Sequence, residues 1–116
     1  MVKDEVILLQ YSEKIKSELI IAMKMLYLTQ EVEEDEIKGA NRMLNEFLNA
    51  LAVEVRIAYN VTKDQRFKEV EEGINEVMGL IDSDFEGATE KISTIMTRVT
   101  TCADEAYREL INLGIL

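Results

Sequence analysis

The sequence contains no proline, no histidine and no tryptophan, and only one cysteine, Cys102. Average usage would place roughly six prolines in a chain of this length, so their absence predicts long helices joined by short turns. Without histidine the chain lacks the commonest general base and the commonest transition-metal ligand. A single cysteine excludes an intrachain disulfide and any multi-cysteine metal site. A ferritin-like di-iron centre is excluded as well, because it needs Glu-x-x-His pairs.

The residues that are present fit one soluble domain over residues 1–116. The chain is 47% apolar, and its 23 acidic against 13 basic residues give a net charge of −10. Such a charge disfavours binding to nucleic acid and to anionic membranes. The most apolar run, residues 19–28, is interrupted by Lys24 and is about half as long as a membrane span. With no targeting segment at its start, the chain is expected to be cytoplasmic.

Apolar residues spaced three and four apart predict four helices, at about residues 4–28, 32–60, 63–81 and 84–113. No segment shows the alternation of a strand, so we expect an all-α fold: a four-helix bundle, mostly up-down-up-down, with a short third helix. The stripes expected to be buried are Leu8, Ser12, Ile15, Leu19, Ala22 and Leu26; Ile37, Ala40, Leu44, Phe47, Leu51, Val55 and Ala58; Phe67, Val70, Ile74, Val77 and Ile81; and Phe85, Ala88, Ile92, Ile95, Val99, Ala103, Ala106, Leu110 and Leu113.

Local signals indicate where these helices begin and end. The segments 62–65 (Thr-Lys-Asp-Gln) and 83–86 (Ser-Asp-Phe-Glu) have the form of capping boxes, and Gly114 is placed to end the last helix. Acidic residues at 31–36 are expected in the first turns of the second helix, where its dipole favours them. Gly73 within the third helix costs about 1 kcal/mol against alanine unless a neighbour packs closely over it.

The unequal helix lengths predict uncovered apolar ends. If the third helix stops short, the end of the first helix, residues 19–28, is left exposed at the top of the bundle. The fourth helix then overshoots at the bottom with residues 106–116, which are mostly apolar. Because a monomer would leave much of this apolar surface exposed to solvent, we predict a homo-oligomer, most simply a two-fold dimer. A bent fourth helix would hide the same surface within one chain.

Carboxylate pairs are the strongest candidates for chemistry. Glu31/Glu34, Glu33/Glu36 and Glu69/Glu72 are spaced one helical turn apart, as in all-α nucleotide pyrophosphatases that bind Mg²⁺ through oxygen ligands. The number of such pairs barely exceeds chance, and Asn75 stands where that pattern wants an aspartate. The basic residues available to hold phosphates are Lys38, Arg42, Arg66 and Lys68.

Other residues suggest packing more than catalysis. Cys102 has no histidine or lysine near it in sequence to act as a base, so a buried packing role is favoured. Two stripes of uncharged polar residues fit either a semi-buried contact or neutral sequence drift at exposed positions. They are Asn41/Asn45/Asn49 and Ser93/Thr94/Thr97/Thr100/Thr101. No glycine-rich phosphate loop or catalytic triad is present. We therefore assign no catalytic, cofactor-binding or metal-binding residue and expect no cofactor.

The order of the four helices, the Asp-Ser-Asp-Phe turn at 82–85 and the closing Asn-Leu-Gly-Ile-Leu at 112–116 resemble a small archaeal family of helical-bundle proteins. The likeness covers the whole chain. It implies an all-helical fold with no assigned function, and it carries over no site residues.

Three functions remain open. The preferred hypothesis is a non-enzymatic, self-associating helical-bundle protein that mediates protein–protein interaction. The alternative is an Mg²⁺-dependent nucleoside triphosphate pyrophosphatase-like hydrolase using Glu33, Glu36, Glu69 and Glu72. In the third, the acidic surface docks a basic partner or mimics nucleic-acid charge.

Overall fold

The computed structural model describes residues 2–116, so the first residue of the predicted domain lies outside the described part. It contains helices α1 (Val2–Leu28), α2 (Ile37–Thr62), α3 (Gln65–Leu80) and α4 (Phe85–Asn112), with a single 3-10 turn (Glu34–Glu36) before α2. No strand occurs in this part of the chain. The predicted all-α fold is confirmed. The largest difference in helix bounds is at α2, which begins at Ile37 because the acidic residues before it form a loop and the 3-10 turn.

The helices form a ring in chain order, α1–α2–α3–α4, with α4 returning against α1. Neighbours are antiparallel, and within residues 2–116 no helix packs against the one diagonally opposite. The bundle measures 54 × 22 × 18 Å. At 16 residues against 26 to 28 in the others, α3 is the short helix that the sequence predicted. Contact is most extensive between α1 and α4 and sparsest between α1 and α2, a difference that bears on the exposed surface.

The core follows the predicted stripes in α1, α3 and most of α4, with Phe67 its largest fully buried side chain. In α2 the prediction is wrong in part: Ile37 is exposed and Ala40 and Phe47 are half-buried, whereas Asn41 and Leu48 are buried. The start of α2 extends past the end of α3, so no third helix covers Ile37. The amide of Asn41 instead donates to Asp82 Oδ1 at 2.9 Å in the α3–α4 turn.

At both predicted capping boxes the N-cap residue is an aspartate rather than Thr62 or Ser83: Asp64 caps α3 and Asp84 caps α4. The Asp64 carboxylate accepts the Arg66 backbone N–H at 3.0 Å, and the Asp84 carboxylate accepts that of Gly87 at 2.9 Å. The first box fails because α2 runs on through Thr62 and ends with Lys63 in a left-handed conformation, φ 60°. The last helix ends as predicted, with Gly114 at φ 76° and the Ile115 N–H donating to the Leu110 carbonyl at 2.9 Å.

The apolar ends of the bundle are better covered than the helix lengths predicted. The Tyr27 and Phe85 rings pack edge to face at 5.5 Å, and this register lays the first turns of α1 alongside the last turns of α4. Leu110 is therefore only 1% exposed, and Ala106 is buried with it. The expectation that residues 106–110 hang free is wrong, while residues 111–116 are exposed. No helix in residues 2–116 is long and apolar enough to cross a membrane.

Candidate interaction site

Two neighbouring helices carry a second apolar stripe besides the one in the core. On α1 it occupies positions 7, 11, 14, 18, 21, 25 and 28, and on α2 positions 43, 47, 50, 54, 57 and 61. A four-three spacing keeps each set on one side of its helix. Together they form what we call the α1–α2 face, whose apolar members are Ile7, Tyr11, Ile21, Met25, Leu28, Met43, Phe47, Ala50, Ile57 and Val61.

Much of the α1–α2 face is open to solvent, although Tyr11, Met25 and Phe47 are partly buried against the core. Near its middle, Ile21 is 46% exposed and Ile57 is 48% exposed, and Met43 and Val61 towards its ends are also exposed. The helices part enough to leave clefts at both ends. One cleft of about 330 Å³ is lined by Ile7, Gln10, Tyr11, Lys14 and Val61, and one of about 130 Å³ by Met25, Leu28, Thr29, Val32, Ala40 and Met43.

Three charged residues lie at the centre of the α1–α2 face. Lys14 Nζ is 2.6 Å from Glu54 Oε1 across the two helices, and the carboxyl groups of Glu18 and Glu54 hydrogen-bond to each other. Two carboxyl groups in such contact share a proton in preference to holding two negative charges. With that proton in place, the cluster of one lysine and two glutamates is neutral.

Of the two carboxyl groups, Glu18 has the raised pKa. Partial burial and the hydrogen bond with Glu54 raise the pKa of Glu18 to about 7. Burial also raises the pKa of Glu54, but hydrogen bonds from Glu18 and Lys14 outweigh it and hold that pKa below its usual value. At neutral pH the cluster therefore consists of an ammonium, a carboxylate and a carboxyl group that is about half protonated.

Ion pairs also cross two other helix boundaries. Arg56 pairs with Glu71 at 2.7 Å between α2 and α3. Between α3 and α4 there are three pairs, at 2.6 to 3.0 Å: Arg66–Glu105, Lys91–Glu76 and Arg98–Glu69. The α1–α2 face carries one such pair, Lys14–Glu54, with exposed apolar side chains on either side of it.

The carboxylate pairs proposed for a metal do not come together. Glu33 precedes the 3-10 turn and Glu36 ends it, and the Glu33 N–H donates to Glu36 Oε1 at 3.1 Å. Glu69 lies on α3 and pairs with Arg98, near the opposite end of α2. At about 1.5 Å per residue the two pairs are roughly 30 Å apart, so they cannot share an ion. No acidic or cysteine cluster suited to a metal occurs in the described residues.

The remaining candidates have structural roles. Cys102 is buried, and burial raises the pKa of its thiol to about 12, which disfavours the reactive thiolate. The Asn stripe is split: Asn41 is buried, Asn45 half-buried and Asn49 exposed. On α4 the hydroxyls of Thr94, Thr97 and Thr101 are exposed and donate to carbonyls one turn back in their own helix, at 2.9 to 3.0 Å.

The α1–α2 face was missed at the sequence level, where only one stripe per helix was followed. Its signal is nonetheless present, as a second four-three repeat offset from the first on both α1 and α2. Comparison with known proteins finds no matching family model, no matching curated protein and no matching solved structure. A function for this chain therefore has to be argued from its own geometry.

Proposed function

We propose that this protein is a non-enzymatic helical-bundle protein that self-associates as a dimer through the α1–α2 face. The observation that carries the proposal is the set of apolar side chains that this face leaves exposed, among them Ile21, Met43 and Ile57. Exposed apolar side chains gathered on one side of a soluble protein mark an interaction site. The three charged groups at the centre of the face, Lys14, Glu18 and Glu54, sum to zero when one carboxyl group is protonated, so two chains of net charge −10 can approach there.

The size of the α1–α2 face supports a second copy as its partner. From Ile7 to Leu28 it is about 30 Å long at 1.5 Å per residue, and two adjacent helices make it about 20 Å wide. Its projected area is on the order of 600 Å², and side-chain relief brings the accessible area near the roughly 800 Å² that each partner buries in a standard interface. The helix lengths predict contacts at residues 19–28 and 106–116; in the proposed dimer only the first segment contributes, through Ile21, Met25 and Leu28.

The test is the mass in solution of the whole chain and of two variants. Light scattering after size exclusion should give wild-type protein at twice 13.3 kDa. The double variant Ile21→Lys/Ile57→Lys should weaken the dimer by about 100-fold or more, because two-fold symmetry doubles every lost contact and the new ammonium groups would be buried. Both side chains are about half exposed, so the monomer should stay folded by circular dichroism.

Ile20→Lys is the matched control. Ile20 is adjacent in sequence and 37% exposed, but it lies outside the α1–α2 face, so this variant should keep the wild-type dimer. A wild-type mass of 13.3 kDa at every concentration would overturn the proposal, as would equal dissociation by the control and the double variant.

We also propose a cytoplasmic location and an archaeal origin, both of which rest on the sequence. Cytoplasm is reducing and keeps a lone thiol such as Cys102 free. The excess of acidic residues argues against nucleic acid as a partner.

A further inference from the structure

We infer that the Lys14–Glu18–Glu54 cluster of each copy meets the same cluster of the other copy at the two-fold axis, so that one buried polar network of six side chains fixes how the two α1–α2 faces align. The inference rests on the proposed function and specifies the centre of its interface. It follows from where the cluster lies on the face and from the hydrogen-bonding groups that the face offers.

The cluster lies at the centre of the α1–α2 face. Along the helices, the face extends from Ile7 to Leu28 on α1, and its midpoint lies between Lys14 and Glu18. Across the face, Lys14 Nζ on α1 is 2.6 Å from Glu54 Oε1 on α2, so the cluster spans the boundary between the two helices. The cluster is therefore central in both directions.

Two-fold symmetry brings the centre of such a face onto its own copy. In a face-to-face dimer the axis lies in the plane of the interface, and the two faces overlap completely only when the axis passes through their centre. A point on the axis meets its own copy whatever the direction of the axis. The central cluster consequently faces the partner's cluster whether the axis runs along the helices or across them.

Other alignments cover less of the face. Moving an axis that runs across the helices by one helical turn, about 5.4 Å, displaces the two faces by twice that distance and uncovers about a third of a length of roughly 30 Å. Moving an axis that runs along the helices by about 5 Å uncovers one of the two helices, which lie about 10 Å apart. Because apolar stabilisation grows with the area covered, the central alignment is favoured.

The cluster also supplies hydrogen-bond acceptors at the place where they are needed. An ammonium group has three donors, and the contact of Lys14 with Glu54 uses one of them. The Lys14 side chain is 67% exposed in the single chain, so its other donors have access to water. A covering copy removes that water, and a buried donor without an acceptor is costly. The carboxyl groups of the partner's cluster are acceptors, whereas the apolar side chains on either side offer none.

Mixing chains of reversed charge tests whether the clusters meet. Lys14→Glu makes the cluster acidic and Glu54→Lys makes it basic, so each homodimer sets like charges against each other and the heterodimer joins opposite charges. With one chain labelled with ¹⁵N, native mass spectrometry of the mixture should show the heterodimer well above the one-half expected from random pairing. Effects inside one chain cancel, because both chains contribute equally to the homodimers and to the heterodimer.

A second pair and a control decide the outcome. Lys14→Glu with Glu18→Lys should also prefer the heterodimer, because Glu18 belongs to the same cluster. Lys38→Glu with Glu13→Lys makes the same changes in net charge at exposed positions outside the α1–α2 face, and this control should mix at random. A preference in either cluster pair beyond that of the control supports the contact. Random mixing in both pairs, or an equal preference in the control, overturns it.

Failure of the inference is distinguishable from failure of the proposed function. Wild-type chains that never dimerise remove both. A wild-type dimer that Ile21→Lys/Ile57→Lys dissociates, but whose cluster variants mix at random, removes the contact between clusters and leaves the interface in place.

Discussion

Gly73 lies in the middle of α3 against Ile95 of α4, so close that a Cβ on Gly73 would overlap the Ile95 Cγ2 methyl. The sequence predicted that such a glycine needs a neighbour packed closely over it, but it could not say which one. Gly79, six residues further along α3, has nothing within 4 Å of the same position. Two glycines that look alike in the sequence thus differ because only one faces another helix.

At the same scale, Glu18 predicts a pH-dependent dimer. Burial and the hydrogen bond with Glu54 raise its pKa to about 7, and burial in the interface raises it further. Well below pH 7 the carboxyl is protonated in monomer and dimer alike, so affinity is constant. As the pH rises above 7 the monomer releases the proton that the dimer retains, so the dissociation constant should rise, by up to about 100-fold per pH unit for two such groups. Sedimentation between pH 6 and pH 9 measures this.

The charged groups facing Glu18 are Lys14 on α1 and Glu54 on α2; α4, which packs on another side of α1, adds none that shifts its pKa. The chain has no histidine, and the Cys102 pKa is raised to about 12, so neither of these titrates in the range. Glu18→Gln should therefore make the affinity independent of pH, while Glu46→Gln, at an exposed position of α2, should leave the dependence intact. A dependence that survives Glu18→Gln would show that another group is responsible.

At the scale of elements, each helix was predicted from its spacing, and the errors lie where a helix extends past its neighbours. The spacing alone assigns Ile37 to the core, although its side chain is exposed. The outer stripes of α1 and α2 were missed for the related reason that periodicity reports which residues share a side of a helix. It does not report which side meets another helix.

The end of α4 offers a prediction about an element. Leu110 is 1% exposed beside the first turns of α1, while its neighbour Ile111 is 44% exposed. Leu110→Ala should lower the free energy of unfolding by about 2–4 kcal/mol through lost burial and a cavity, and Ile111→Ala by less than about 1 kcal/mol. Urea denaturation of the two variants measures the difference. Equal effects would mean that α4 hangs free beyond α1, as the helix lengths alone suggested.

At the scale of the whole molecule, charge and shape act together. Two chains of net charge −10 repel each other, while the proposed interface brings mostly apolar side chains together. Salt screens long-range repulsion and leaves apolar contact intact. Raising sodium chloride from about 0.05 to 0.5 M, which shortens the Debye length from roughly 14 to 4 Å, should therefore lower the dissociation constant several-fold. Sedimentation that shows weaker association at high salt would mean that ion pairs dominate the contact.

The sequence by itself determined the helical class, the order and unequal lengths of the helices, most of the core and the closing glycine, because these depend on spacing and backbone preference within a few turns. Only the tertiary structure decided which stripe of α1 and α2 stays open, that Leu110 is covered, and that Glu33 and Glu69 lie far apart. Those outcomes depend on which helix lies beside which and at what height. The missing histidine and proline excluded whole classes of chemistry and of fold, but the α1–α2 face emerged only when the four helices closed into a ring.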